Sequence, residues 1–182
     1  KDYVFAWRRM LEQPGEYTYL FYYIENAKAY EVAFSKGEPM SFDQVGIKEI
    51  NPLTVRVTLH DPCTFFLDLV AFVPFYPLNA RSMEPFKETD HATGHVSYKA
   101  EFTRPPHVVT NGPFELKRWD FKRELWLHKS NTYWDRKDVH LKTIELVINP
   151  DPLSQLLMYE SGAVDWLSSV SSDYAAELKA RG

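Results

Sequence analysis

Few residues in this sequence have the type and spacing to do chemistry. His91 and His95 stand four apart, with Asp90 beside the first. On a helix that spacing would aim two imidazoles at one metal ion. Gly94 lies between them and the surroundings are polar without a period, so the segment reads as a solvated loop and no metal is expected. His60, His107, His128 and His140 are isolated and read as surface or structural residues. The single cysteine, Cys63, follows a proline and precedes an apolar stretch. One cysteine rules out an internal disulfide and a multi-cysteine zinc site. No cue beside it would lower its pKa, so a buried thiol is expected in place of a nucleophile. The sequence holds no GxGxxG, no P-loop, no GxSxG and no HExxH, which argues against nucleotide binding and common hydrolase chemistry. Acidic residues number 25, yet no two are marked by context as a general acid and its base. The expectation is a non-enzyme with no catalytic residue, no metal and no cofactor.

The remaining chemistry is aromatic. Phe, Trp and Tyr make up 15% of the chain, and they are densest at Tyr17, Tyr19, Phe21, Tyr22 and Tyr23. Tyr17, Tyr19, Tyr22 and Tyr23 could line a ligand, their hydroxyls bonding peptide or sugar groups. Plain packing between two helices would explain the same residues. Both readings stay open on the residues alone.

The elements that must position these side chains can be read from period and punctuation. Asp2 could cap a helix to about Glu12, with Val4, Trp7 and Leu11 on one face. Pro14-Gly15 ends it. Residues 16–36 read as a second helical region, closed by Gly37 and Pro39. Leu53, Val55, Val57 and Leu59 alternate with polar residues, a half-buried strand that pairs with 45–50 as a hairpin. Residues 65–75 are strongly apolar and read as a short buried helix and then an extended segment. A short helix is expected over 79–87 and a long surface loop over 88–107. From Val108 onward the chain turns to strands, around Phe114 and Leu116, Leu125 and Leu127, and Ile144, Leu146 and Ile148. Asp151-Pro152 opens a helix whose buried stripe is Leu153, Leu156 and Leu157. Residues 164–167 read as a short strand, and a last helix starts at Asp173. No repeat and no low-complexity tract is present.

Composition bounds the class. The chain has 182 residues, 45% of them hydrophobic and 25% charged, which is ordinary for a folded globular chain and too apolar for disorder. A net charge of -4 disfavours non-specific nucleic-acid binding. No apolar run approaches the ~20 residues of a membrane-spanning helix. Proline (12) exceeds glycine (7), which suggests fixed connections over flexible linkers. A helix already under way at Lys1 reads as part of a longer protein.

Six ordered blocks resemble the extracellular solute-binding proteins of family 5, the oligopeptide- and dipeptide-binding proteins of ABC importers. Asp2-Tyr3-Val4-Phe5-Ala6-Trp7-Arg8-Arg9 resembles their "D-F-V-Y-A-W-R-R" helix. Val45 to Ile50, followed by Leu53 to Leu59, resembles their hairpin. Phe65 to Leu69, with Phe75 to Leu78, resembles the stretch after it. Val109-Thr110-Asn111-Gly112-Pro113-Phe114, running on to Trp119, is similar to "V-x-N-G-P-Y-x-L-x-x-W". Leu125 to Asp135 is similar to "I-x-L-x-x-N-P-x-Y-W-D", except that Ser130-Asn131 stands where Asn-Pro is usual. Tyr159 to Trp166 resembles "Y-x-x-G-E-V-D".

The resemblance implies an α/β chain of mixed α+β character, a fragment of the two-lobed periplasmic-binding-protein type II fold. Residues 1–107 would belong to the smaller lobe and 108–182 to the main lobe. It implies capture of peptides, or a related small solute, for a membrane ABC permease, by a monomer in the periplasm or outside the cell, held by a lipid anchor in some members. It also implies that a tyrosine from Tyr17 to Tyr23 faces the cleft. Two alternatives remain: the sensing domain of a transcriptional regulator, which would bring nucleic acid in as a partner, and a carbohydrate-binding or carbohydrate-active module.

Overall fold

Helix α1 (Asp2–Glu12) turns Ala6, Trp7 and Leu11 inward, the i, i+1 and i+5 positions of one buried face. The computed structural model describes residues 1–92, Gly94 and 96–181 of this mixed helix-and-strand chain. They form two compact units, Lys1–Phe102 and Thr103–Gly182.

Trp7 is the centre of the first unit. Its indole Nε1 donates to the Phe75 carbonyl at 2.8 Å, and its ring meets Phe21 and Phe75 edge-on at 5.9 and 5.5 Å. Phe21 and Phe75 are themselves stacked at 4.0 Å. Ile24, Tyr30, Val45 and Ile47 close the core around them. Burying this many aromatic rings supplies most of the driving force, with edge-on pairs adding about 0.5–1.5 kcal/mol each.

The expected helix over 16–36 is two elements. Thr18–Tyr23 is a 3-10 turn, and helix α2 begins only at Ala27 and runs to Lys36. Tertiary pairing breaks the run: Ile24 forms a bridge with Leu59, and Asn26 sits in the left-handed region at φ 59°. Gly37, at φ 68°, closes α2, and the Glu38 amide returns to the Ala33 carbonyl.

Strands β1 (Ile47–Asn51) and β2 (Thr54–Val57) form the expected antiparallel hairpin, with the Leu53 amide donating to the Asn51 side chain in the turn. Val55 and Val57 are half-buried while Thr54 and Arg56 are exposed. Leu53 does not share their face; it is 97% exposed because it falls in the turn, outside the pleat. Helix α3 (Phe66–Val70) also departs from expectation: its surroundings leave Leu67 in solvent, and only Phe75 beyond it is fully buried. Helix α4 (Ala80–Met83) is capped by the Asn79 side chain, which accepts from the Ser82 amide at 3.1 Å.

The stretch read as a long loop over 88–107 holds a second hairpin. Strands β3 (Lys87–Thr89) and β4 (Val96–Tyr98) pair antiparallel, and a 3-10 turn follows at Ala100–Thr103. Three-residue strands carry too few side chains to show a period. The Gln13 side chain donates to the Val96 carbonyl at 2.6 Å and ties this hairpin to the end of α1.

In the second unit, β5 (Phe114–Asp120), β6 (Glu124–Lys129) and β7 (Thr143–Val147) form an antiparallel sheet in that order. Leu116 faces Leu127, and Leu127 faces Ile144 across the next ladder. A bulge between Leu116 and Arg118 shifts the register. Helix α5 (Pro152–Glu160) is capped by Asp151, which accepts from the Ser154 amide at 2.7 Å; those hydrogen bonds hold the Asp151 carboxyl below its ordinary pKa. Its expected stripe is narrower than the sequence suggests. Leu156 is 8% exposed, but Leu153 and Leu157 are 45% and 54% exposed. Residues 164–167 are irregular and not a strand, because no neighbouring strand pairs with them. Helix α6 (Ser172–Arg181) ends the described chain.

Candidate functional site

The tyrosine cluster is sorted by the geometry of its 3-10 turn. With three residues per turn, positions three apart share a row. The row Thr18, Phe21 and Ile24 is buried. Of the two other rows, Tyr17 and Tyr23 are exposed on one while Leu20 between them packs against the core, and on the other Tyr19 is exposed and Tyr22 half-buried. An α-helix of 3.6 residues per turn would have spread the same side chains around its axis.

Backbone bonds fix the turn in place. The Glu25 amide donates to the Thr58 carbonyl at 2.9 Å, the Thr58 amide to the Gly46 carbonyl at 2.8 Å, and the Gly46 amide to the Glu25 carbonyl at 2.9 Å. The His60 amide then donates to the Tyr23 carbonyl at 3.1 Å. The end of the turn is thus stitched to both strands' flanks.

The four tyrosines have different surroundings. Tyr17 meets the Phe72 ring edge-on at 5.3 Å, and Tyr23 meets Phe65 edge-on at 5.4 Å. Both remain exposed. Tyr19 is 57% exposed. Tyr22 is drawn to α2: its hydroxyl donates to Glu31 at 3.1 Å and the Lys28 ammonium lies 5.7 Å from its ring. Burial, with that bond to Glu31, raises its pKa. Tyr17 and Tyr23 thus each stand exposed against a phenylalanine ring, Tyr19 is exposed, and Tyr22 is half-buried with its hydroxyl on Glu31. Sequence reading did not single out Phe65 and Phe72. Both lie within the apolar 65–75 stretch, Phe65 at its start and Phe72 inside it. What these side chains offer is ring faces and neutral hydroxyls, which suit stacking and hydrogen bonding to amides.

The other candidates are not assembled into a centre. His91 is exposed, and His95 lies outside the described residues. No group of three or more metal-binding side chains occurs among the described residues. Cys63 is a free thiol and half-buried, not fully buried, because the helix after it is itself partly exposed.

A family model, the bacterial extracellular solute-binding proteins, family 5 Middle, matches residues 1–182. The chain belongs to this family. Among family 5 relatives, the oligopeptide-binding protein OppA of Bacillus subtilis is 31% identical over 168 residues, covering 91% of this chain and 28% of the relative. The solved structure of Burkholderia pseudomallei OppA superposes with a TM-score of 0.83 at 25% identity, covering 99% of this chain and 33% of that one. Listeria monocytogenes OppA bound to peptide superposes with a TM-score of 0.81 at 29% identity, covering 98% and 32%. The chain therefore spans about a third or less of the relatives it matches. No helix among the described residues is long and apolar enough to cross a membrane.

Proposed function

We propose that this chain is the tyrosine-bearing part of a peptide receptor, a solute-binding protein that delivers peptides to an ABC permease. The observation that carries this reading is the surface of Tyr17, Tyr19 and Tyr23, propped by Phe72 and Phe65 and exposed on a rigid turn. Ring faces accept many side chains with little preference, and hydroxyls bond the amides common to every peptide. That combination suits broad peptide specificity. The relatives support it: Bacillus subtilis OppA is an oligopeptide-binding protein, and Listeria monocytogenes OppA was solved bound to peptide.

In this reading the protein is a receptor and not an enzyme, works as a monomer in the periplasm or outside the cell, and needs no cofactor or nucleic acid. Residues 1–107 belong to the smaller lobe and 108–182 to the main lobe, with hinge closure over the solute. A lipid anchor would serve to keep the receptor near its permease.

The test is native mass spectrometry of the protein with a pool of short peptides. Peptide adducts are expected, and Tyr19→Ala combined with Tyr23→Ala should remove most of them. Tyr19 has an exposed ring, so its loss should change stability by no more than about 0.5 kcal/mol. Adducts of equal abundance on the variant would move the site elsewhere. Absence of adducts on the parent protein would overturn the reading.

A further inference from the structure

Arg8 and Arg9 are neighbours on α1 with different fates. The Arg8 Nε donates to Glu12 Oε1 at 2.6 Å, and the same oxygen accepts the Tyr30 hydroxyl at 2.6 Å. The Arg8 guanidinium also lies 5.4 Å from the Phe42 ring. Arg9 has no such carboxylate. Its Nε is buried without a hydrogen-bond partner, and among the described residues it forms no ion pair. Its guanidinium lies 5.4 Å from the centre of the Tyr98 ring. Burial holds the Arg9 pKa below the ordinary arginine value, with Tyr98 opposing that shift. Arg9 is half-buried, and its Nε–H is a donor that an acceptor oxygen entering beside it would satisfy.

A cavity of about 260 Å³ lies at this position, between α1, α2 and the β3–β4 hairpin. Phe5, Phe34, Val96 and Tyr98 provide apolar walls, and Lys87 and the Glu12-bound Arg8 add positive charge beside Arg9. Lys87 is only loosely held by Glu84, at 3.7 Å and in solvent. The one acid in the wall, Glu12, is already taken by Arg8 and Tyr30. The cavity is smaller than a drug-sized pocket, so it suits a molecule of a few heavy atoms.

We propose that this cavity is a binding site for a small organic carboxylate on a short apolar body, the carboxylate meeting Arg9 and Lys87 and the body lying against Phe5 and Tyr98. A planar guanidinium fork matches a carboxylate in two parallel bonds. The apolar walls distinguish this ligand from a bare inorganic anion, which would gain nothing from them. The site involves none of Tyr17, Tyr19 or Tyr23, so it stands or falls separately from the peptide reading.

The test follows the arginine Nε–H signals of the isotope-labelled protein by NMR during titration with hexanoate, hexanol or inorganic phosphate. One arginine signal, absent in Arg9→Lys, should shift saturably with hexanoate and not with hexanol. Lys87→Gln, at an exposed position, should keep the fold and weaken hexanoate binding several-fold. Arg9→Lys should weaken it about tenfold or more, since it keeps the charge and loses the fork. The proposal is overturned if hexanoate gives no saturable shift, if hexanol shifts the same signal equally, or if phosphate saturates it in preference to hexanoate. Should Arg9→Lys fail to fold, the Lys87→Gln titration decides, and unchanged affinity there counts against the site.

Discussion

The Tyr30 hydroxyl donates to Glu12 Oε1 at 2.6 Å at the edge of the first unit's core, where the bond is part-buried. Burial, then the bond to the Glu12 carboxylate, pushes the Tyr30 pKa up to about 12. Both effects favour the protonated phenol in the folded state. An unfolded tyrosine titrates near pH ~10, so between about 10 and 12 the unfolded chain loses this proton first. The folded state then binds more protons, and stability falls as pH rises through that window. The contribution is complete below about pH 10 and lost above about pH 12. Urea denaturation at stepped alkaline pH should show this decline, and Tyr30→Phe should flatten it while lowering stability at neutral pH. An unchanged slope in Tyr30→Phe would mean that other groups govern alkaline unfolding. The same Glu12 oxygen also accepts from the Arg8 Nε, four residues earlier on α1, so one carboxylate oxygen serves two donors.

Between elements, the position that decides the candidate site is Gly46. A Cβ there would lie 2.3 Å from the Thr58 carbonyl oxygen and 3.1 Å from the Glu25 Cβ. The Thr58 oxygen is backbone and already accepts from the Glu25 amide, so it cannot swing aside. Gly46→Ala should therefore destabilise by about 3 kcal/mol or more, at the upper end for overpacking. It should also loosen the Thr18–Tyr23 turn, because the ring of bonds through residues 25, 46 and 58 holds the turn's end. Thermal denaturation together with tyrosine fluorescence anisotropy would measure both effects. A Gly46→Ala protein as stable as its parent would show that the junction can open at little cost. This junction was not legible in the sequence. Period showed α1, the β1–β2 hairpin and the strands β5, β6 and β7, because each repeats its own spacing several times. It could not show that Ile24 pairs with Leu59, thirty-five positions away in sequence, and that pairing is what splits the expected helix. The tyrosine cluster itself was visible. Which of its members are free was not, since Tyr22 is claimed by Glu31 on another element. Leu153 and Leu157 failed for a related reason: helical spacing shows a stripe, but only a neighbouring surface can bury it.

Across the whole molecule, burial is divided unevenly. The core around Trp7, Phe21 and Phe75 belongs wholly to Lys1–Phe102. In Thr103–Gly182, Leu156 is the one buried apolar side chain among the described residues, while Trp134, Trp166 and Phe121 are exposed. The three-stranded sheet there is held by its ladders and by half-buried leucines, with little close-packed apolar contact behind it. Hydrogen bonds alone add about 0.5–1.5 kcal/mol each net, and exposed ladders are readily opened by water. The first unit should therefore be the more protected. Native-state hydrogen exchange should find amides of α1 and of the Phe21–Ile24 segment exchanging only through the highest-energy opening. Amides of β5 to β7 should open at a free energy several kcal/mol lower, and guanidinium titration should separate into two transitions, with the tryptophan signal of the second unit changing first. Mutation offers an independent check: Leu11→Ala, in the first core, should lower only the later transition, by about 2–5 kcal/mol. A single cooperative transition with equal protection in both units would mean that the stability of the sheet is borrowed from the first core. The predicted order has a functional reading as well. Under the proposed function, a receptor that hinges over its solute keeps its ligand-bearing surface on a rigid body, and Tyr17, Tyr19 and Tyr23 belong to the unit that holds the aromatic core.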